Sequence, residues 1–218
     1  MMDQPSSTGL TYEDYLLFPD DRRIEILDGK RYDQDSPPTK HQSVLLQLAT
    51  AVHEFARSQR LGQVLMARFC VVLSPHDVVE PDMIFVSRQR RSLFTEQNFQ
   101  GAPDLIVEVL SDRTRQVDEG VKRERYEALG VLEYWLVDPD RRGLTVYRLD
   151  GDHYQEFAKL TADNALQTPL LPGLELKLRR IFCDEDSGRT EAYQGLGADL
   201  WEETEGVAAI ERERESWE

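Results

Sequence analysis

A chain of 218 residues suits one domain better than two, and at that length roughly 70% of the unfolded surface is buried on folding without staples. Hydrophobic residues at 40% and charged residues at 31% exclude wholesale disorder, and no run approaches the ~18 apolar residues of a membrane span. The formal charge of −15 opposes indiscriminate binding to nucleic acid, but residues 184–218, with twelve acids against three arginines, carry −9 of it.

The opening MMDQPSSTGL has no basic start followed by an apolar stretch, so no secretory signal is read and a cytoplasmic protein is expected. TYEDYLLF (11–18) predicts a short helix with Thr11 as N-cap and Asp14 near its positive end. IEILDGKRY (24–32) alternates about Asp28-Gly29, a hairpin-turn dipeptide. After Pro37-Pro38, the spacing of Val44, Leu45, Leu48, Val52 and Phe55 predicts a helix of about four turns, with Gly62 just past its end. VLMARFCVVL (64–73) reads as one strand. VVEPDMIFV (78–86) reads as another, with Pro81 marking an edge, a bulge or a bend. Residues 87–103 predict a loop or a short helix.

DLIVEVL (104–110) has the pattern of a buried central strand interrupted by one acid. Residues 114–129 predict a charged helix ended by Gly130. EYWLVD (133–138), LTVYRL (144–149) and HYQEFAKL (153–160) predict strands, and LELKL (174–178) a further one. The passage from 104 to 138 is long enough for a right-handed crossover, which makes its two strands parallel neighbours. The fold class is α/β: a mixed β-sheet flanked by helices. Cys70 and Cys183 sit in apolar surroundings and read as small buried thiols rather than a disulfide. Residues 1–183 form the expected domain, and 184–218 an acidic C-terminal tail with no catalytic role.

Two carboxylates stand where strands should be apolar, Asp82 after Pro81 and Glu108 inside DLIVEVL. A lone buried charge costs several kcal/mol, so each needs a partner: a solvated edge or an arginine on one reading, a shared metal ion on the other. Lys122 reads either as half of an exposed pair with Asp118 at i−4 or as a functional cation. Tyr126 falls one turn later on the same face and is expected to pack. Asp104 reads as a strand-start residue. Arg113 and Arg115 are either phosphate contacts or solvated loop residues, and His53 and His76 read as surface residues. Residues 88–125 hold eight bases and seven acids, so metal bound to several of the acids would leave that region positive.

EPDMIFV, GAPDLIVEVLSDRTR, the spaced Asp118, Lys122 and Tyr126, and GVLEYWLVDP together resemble the Uma-two family, a bacterial group long known as a domain of unknown function. The family is similar to restriction endonucleases and sits in the PD-(D/E)XK nuclease superfamily; the resemblance runs over about residues 11–180. It implies a restriction-endonuclease-like fold and a Mg²⁺- or Mn²⁺-dependent endonuclease acting on DNA as a homodimer. It further implies catalytic Asp82, Glu108 and Lys122, with Asp82, Glu108 and the backbone carbonyl of Val109 as metal ligands. One departure stands out. The position two residues beyond Glu108 is Leu110, not lysine, and Lys122 on the following helix is the matching base. Glu25 and His41 match positions near the family's site, against plainer readings as a paired strand carboxylate and a helix-entry histidine. Two alternatives remain open: a nuclease-fold binding module that no longer cleaves, and a metal-dependent hydrolase of RNA or nucleotides.

Overall fold

The computed structural model describes residues 9–19 and 21–182. The predicted tail (184–218) and Cys183 lie outside the described residues. The chain opens with a single helical turn, α1 (Tyr12–Tyr15), closed by a capping box in which the Thr11 and Asp14 side chains satisfy each other's backbone N–H. The hairpin β1 (Arg23–Leu27) and β2 (Lys30–Gln34) follows as expected. Its turn residues Asp28 and Gly29 both take positive φ, 52° and 70°, as a two-residue turn between right-twisted strands requires.

α2 (Thr39–Ser58) starts at Pro38 and buries His41, Val44, Leu45, Leu48, Ala49, Val52 and Ala56 along one stripe. Phe55 is half-buried at its margin. The helix closes without glycine: Arg60 takes the left-handed conformation at φ 54°. Gly62 instead opens the next strand, where an added Cβ would lie 2.1 Å from the Val86 carbonyl oxygen, so close backbone approach, not helix termination, requires it there.

The two long apolar runs each split. VLMARFCVVL becomes β3 (Gly62–Met66) and β4 (Cys70–Ser74), and VVEPDMIFV becomes β5 (Asp77–Val79) and β6 (Met83–Ser87). The halves join different sheets, so Pro81 marks a crossing between layers. Residues 87–103 hold a 3-10 helix (Arg88–Leu93) and β7 (Asn98–Gln100). Next come β8 (Leu105–Val109), α3 (Arg115–Val117), a π-helical turn (Asp118–Lys122) and α4 (Arg123–Ala128). The last elements are β9 (Glu133–Asp138), β10 (Gly143–Asp150), β11 (His153–Thr161), β12 (Ala165–Leu166), β13 (Leu176–Lys177) and α5 (Leu178–Ile181).

Among the described residues, one sheet has the order β2-β1-β5-β4-β7 and a larger one β11-β10-β9-β8-β6-β3. β8 and β9 run parallel, as the crossover length predicts, with Val107 opposite Trp135. β6 lies antiparallel to β8 on its other side. The larger sheet carries a core on each face. Met83, Phe85, Leu105, Val107 and Val109 pack beneath α2 and α5, while Ile84, Val86 and Ile106 meet the smaller sheet and Tyr126 of α4. The period-2 alternation of β8 therefore puts Glu108 on the same face as Ile106, toward the smaller sheet. Cys70 is half-buried, and burial pushes its thiol up to about 12 against a hydrogen bond from Tyr15, which disfavours reactive thiolate.

Candidate active site

The start of β6, β8, α2, the π turn and β1 of the smaller sheet converge on a cleft of about 370 Å³ lined by, among others, Arg23, His41, Glu80, Asp82, Glu108 and Lys122. Asp82 stands at the mouth of β6, where Pro81 has just turned the chain from one sheet to the other. Glu108 comes from the middle of β8. Lys122 ends the π turn, whose wider winding sets Asp118 and Lys122 on the inner face; both are buried. Glu25 reaches in from β1 and His41 from the buried stripe of α2.

The three residues spaced through positions 82–122 meet, and so do the two weaker candidates. Lys122 Nζ lies 2.9 Å from Glu108 Oε1, 2.9 Å from Glu25 Oε2 and 3.4 Å from Asp118 Oδ1, with its side chain 3% exposed. The surface-pair reading of Lys122 and Asp118 is thus corrected: the pair exists but is buried. His41 Nε2 donates to Asp82 Oδ2 at 2.9 Å, and the Val109 N–H donates to the same oxygen at 2.8 Å. The Asp82 N–H points to Glu108 Oε2 at 3.4 Å, tying the two acids through the backbone. Tyr126, expected to pack, also donates its hydroxyl to Glu108 Oε1 at 3.0 Å.

Several residues of this neighbourhood escaped the sequence reading as members of the site. Glu80 is buried, takes the Tyr15 hydroxyl at 2.9 Å, and lies 3.7 Å from Arg23 and 3.4 Å from Arg68. Gln34 donates to Glu25 Oε2 at 2.6 Å, and the Glu80 N–H donates to Glu25 Oε1 at 2.9 Å. Asp118 Oδ1 is buried without a hydrogen bond. The signal for Glu80 was present in sequence, since E-P-D puts a second acid two residues before Asp82. Arg23 and Gln34 gave none, because their relevance depends on how a distant hairpin docks.

Other candidates fall elsewhere. Asp104 accepts the Ser87 N–H at 2.7 Å and faces Arg90 at 3.5 Å, which fixes the start of β8 away from the cleft. Arg115 pairs with Asp138 at 2.8 Å and Glu119 at 3.3 Å, whereas Arg113 lines the cleft and pairs with Asp35 at 2.8 Å. His53 is exposed. His76 is half-buried and donates Nδ1–H to the Leu10 carbonyl at 2.9 Å.

The electrostatics follow from five buried carboxylates (Glu25, Glu80, Asp82, Glu108, Asp118) around one buried ammonium. Burial pushes the Glu108 carboxyl well above its usual range; Lys122 opposes this, and Asp82, Asp118 and Glu25 reinforce it. Asp118 is raised for similar reasons. Burial works against Asp82 too, but the hydrogen bond and charge of His41 and the Val109 N–H hold it below the ordinary carboxylate range. Lys122 loses hydration yet is held as an ammonium by Glu108, Glu25 and Asp118. Such a surplus of hard oxygen donors suits a small divalent cation. Among the described residues, no three acidic, cysteine or histidine side chains form a ready ligand cluster. A cation held by Asp82 and Glu108 would therefore complete its shell with backbone, water or substrate oxygens, as Mg²⁺ commonly does.

Comparison with known proteins agrees with this architecture. A crystal structure titled a "putative nuclease belonging to DUF820" from Anabaena variabilis superposes with a TM-score of 0.67 at 21% identity, covering 80% of this chain and 98% of that one. It shows the fold. The type IIG restriction endonuclease BpuSI matches at 15% identity and a TM-score of 0.36, over 74% of this chain and 17% of that chain, a likeness too loose to carry an argument. No curated protein matches significantly. The family model described as "Uma2: Putative restriction endonuclease" matches residues 11–179, and the chain belongs to that family.

Proposed function

We propose that this protein is a divalent-metal-dependent endonuclease that hydrolyses DNA phosphodiester bonds as a homodimer, with residues 1–183 forming the nuclease domain and 184–218 taking no catalytic part. The observation that carries the reading is the meeting of Asp82 at the entry to β6, Glu108 of β8 and Lys122 of the π turn in one acidic cleft.

In hydrolysis a water oxygen bonds to phosphorus, one P–O ester bond breaks, and the departing oxygen takes up a proton. A Mg²⁺ or Mn²⁺ ion held by Asp82, Glu108 and the Val109 carbonyl would supply Lewis acidity, easing deprotonation of water and neutralising charge at the phosphate. Lys122 then orients the attacking water or donates to the oxyanion, a role worth about 3 kcal/mol by analogy with other oxyanion donors. Glu25 and Asp118 fix its ammonium. His41 and the Val109 N–H fix the Asp82 carboxylate, and Tyr126 fixes Glu108. Arg113, at the cleft, is placed to meet a flanking phosphate.

The test is cleavage of plasmid, linear duplex and single-stranded DNA by purified protein with Mg²⁺ or Mn²⁺. The parent cuts, chelation stops it, and Glu108→Gln or Lys122→Ala lowers the rate on the order of 10²–10³-fold. Failure to cut any DNA form, cleavage of RNA alone, or fully active variants overturns the reading.

A further inference from the structure

The opposite end of α2 gathers positive charge in a chain whose overall balance is strongly negative. Arg57 occupies the last turn of α2, and Arg60 follows in the left-handed conformation. Arg88 and Arg91 stand three apart on the 3-10 helix, where side chains at that spacing eclipse one another. The Arg88 N–H donates to the Leu61 carbonyl at 3.0 Å, pinning this helix against the end of α2. All four arginines are exposed and line one cleft of about 650 Å³ together with His53. Among the described residues, no acid lines that cleft and none of the four arginines forms a salt bridge. One wall is β3, the edge strand of the larger sheet, so backbone N–H donors border the guanidiniums.

Ordinary surface arginines are interspersed with acids, as Arg31, Arg113, Arg141 and Arg179 are here. Four guanidiniums lining one cleft without acids repel one another unless an anion joins them; the planar fork takes carboxylate and phosphate alike, but only a polyanion with regularly repeated charges, such as a phosphate backbone, meets several of them at once. The distance is also informative. α2 runs from His41 at the acidic cleft to Arg57, sixteen residues or about 24 Å. Along β6, from Asp82 just before it to Arg88 just after it, the path is six residues or about 20 Å. At about 3.4 Å per base pair, the two sites are some six or seven base pairs apart along a duplex.

We propose that the Arg57–Arg60–Arg88–Arg91 cleft is a second contact surface for duplex DNA, gripping the phosphate backbone about six or seven base pairs from the scissile bond. This rests on the nuclease reading above and adds a remote anchor to it. The anchor carries no base readout, so it raises affinity without specifying sequence.

The experiment compares the full-length parent with the R57Q/R60Q/R88Q/R91Q variant by fluorescence anisotropy in chelator, on a duplex of about 30 base pairs that spans both sites. Binding is followed across a salt series, with polyglutamate as competitor. Hydrolysis of bis(4-nitrophenyl) phosphate with Mn²⁺, a diester too small to reach the arginines, is measured in parallel. The variant is expected to bind the duplex on the order of 100-fold more weakly, with a salt slope reduced by about 3 to 4, and to hydrolyse the small diester at the parental rate. An unchanged slope and affinity, a parent that does not bind duplex, or displacement by polyglutamate as easily as by DNA overturns the proposal. If the slope falls as expected but neither protein hydrolyses the diester, the anchor stands and the nuclease reading falls.

Discussion

Replacing Lys122 by methionine removes a charge but keeps much of the side chain's volume, so it isolates what the ammonium does. Lys122 is 3% exposed at the side chain, and the carboxylates within 3.4 Å of it, Glu25, Glu108 and Asp118, are 1–4% exposed. No described lysine or arginine other than Lys122 pairs with any of these three acids. Breaking a buried ion pair by deleting one partner costs about 3–5 kcal/mol, because the remaining charge has neither water nor counter-ion. Glu108 and Asp118 are already pushed toward their protonated forms, so they offset part of the loss by taking up protons. For a chain of this size each kcal/mol moves Tm by about 2–4 °C, which gives a fall of about 6–20 °C. Urea unfolding at neutral pH should show the lower midpoint with an unchanged m-value. Because a divalent cation can replace the missing positive charge, Mg²⁺ should recover more stability in the variant than in the parent. A loss below about 1 kcal/mol, or equal Mg²⁺ effects on both proteins, would refute the placement of Lys122 as the buried cation of the cleft.

Three further outcomes follow from other contacts. Asp77, with a fully buried side chain, accepts from the Asp28 N–H, the Ser74 hydroxyl and the Nε and Nη2 of Arg125 at 2.6–2.9 Å. Burial raises its carboxyl, but these bonds outweigh that and hold it below the usual range, so its contribution is complete above about pH 5 and fades as pH drops below about 4. Asp77→Asn should therefore be less stable than the parent by about 2–4 kcal/mol at pH 7, with the gap closing in acid; a pH-independent gap contradicts the linkage. Gly62→Ala forces a Cβ to within 2.1 Å of the Val86 carbonyl and 2.9 Å of the Phe85 ring, and should cost about 1–3 kcal/mol in calorimetry. Tyr126→Phe deletes one hydrogen bond to Glu108 and leaves the ring packed, so stability should fall by about 1 kcal/mol while cleavage persists at a reduced rate.

What was legible in the sequence was local. The Asp28-Gly29 hairpin, the α2 stripe, the buried β8 and its parallel crossover to β9 follow from periodicity, turn chemistry and connection length, and each is present. The splitting of VLMARFCVVL and VVEPDMIFV was not legible. A strand buried on both faces carries no alternation, so nothing marks where an apolar run leaves one sheet for another, apart from Pro81. Gly62 looked like a helix stop because glycine serves both there and wherever two backbones approach closely. The environment of Lys122 was hidden for a related reason. Its neighbour Asp118 sits at the spacing of a surface pair, while Glu25, 97 residues earlier, arrives only through docking of the first hairpin. Only family resemblance joined Asp82, Glu108 and Lys122 before the fold brought them together, and it placed Glu25 and His41 beside them as well.

A crystal soaked in Mn²⁺ would show, through the ion's anomalous signal, whether the acids and the lysine form one cation-binding catalytic cleft. The expected result is a peak about 2.1–2.2 Å from carboxylate oxygens of both Asp82 and Glu108, with the Val109 carbonyl in its shell and the Lys122 ammonium beside it. A Mn²⁺ ion bound elsewhere on the chain, or a cleft that takes up none at millimolar concentration, would contradict it.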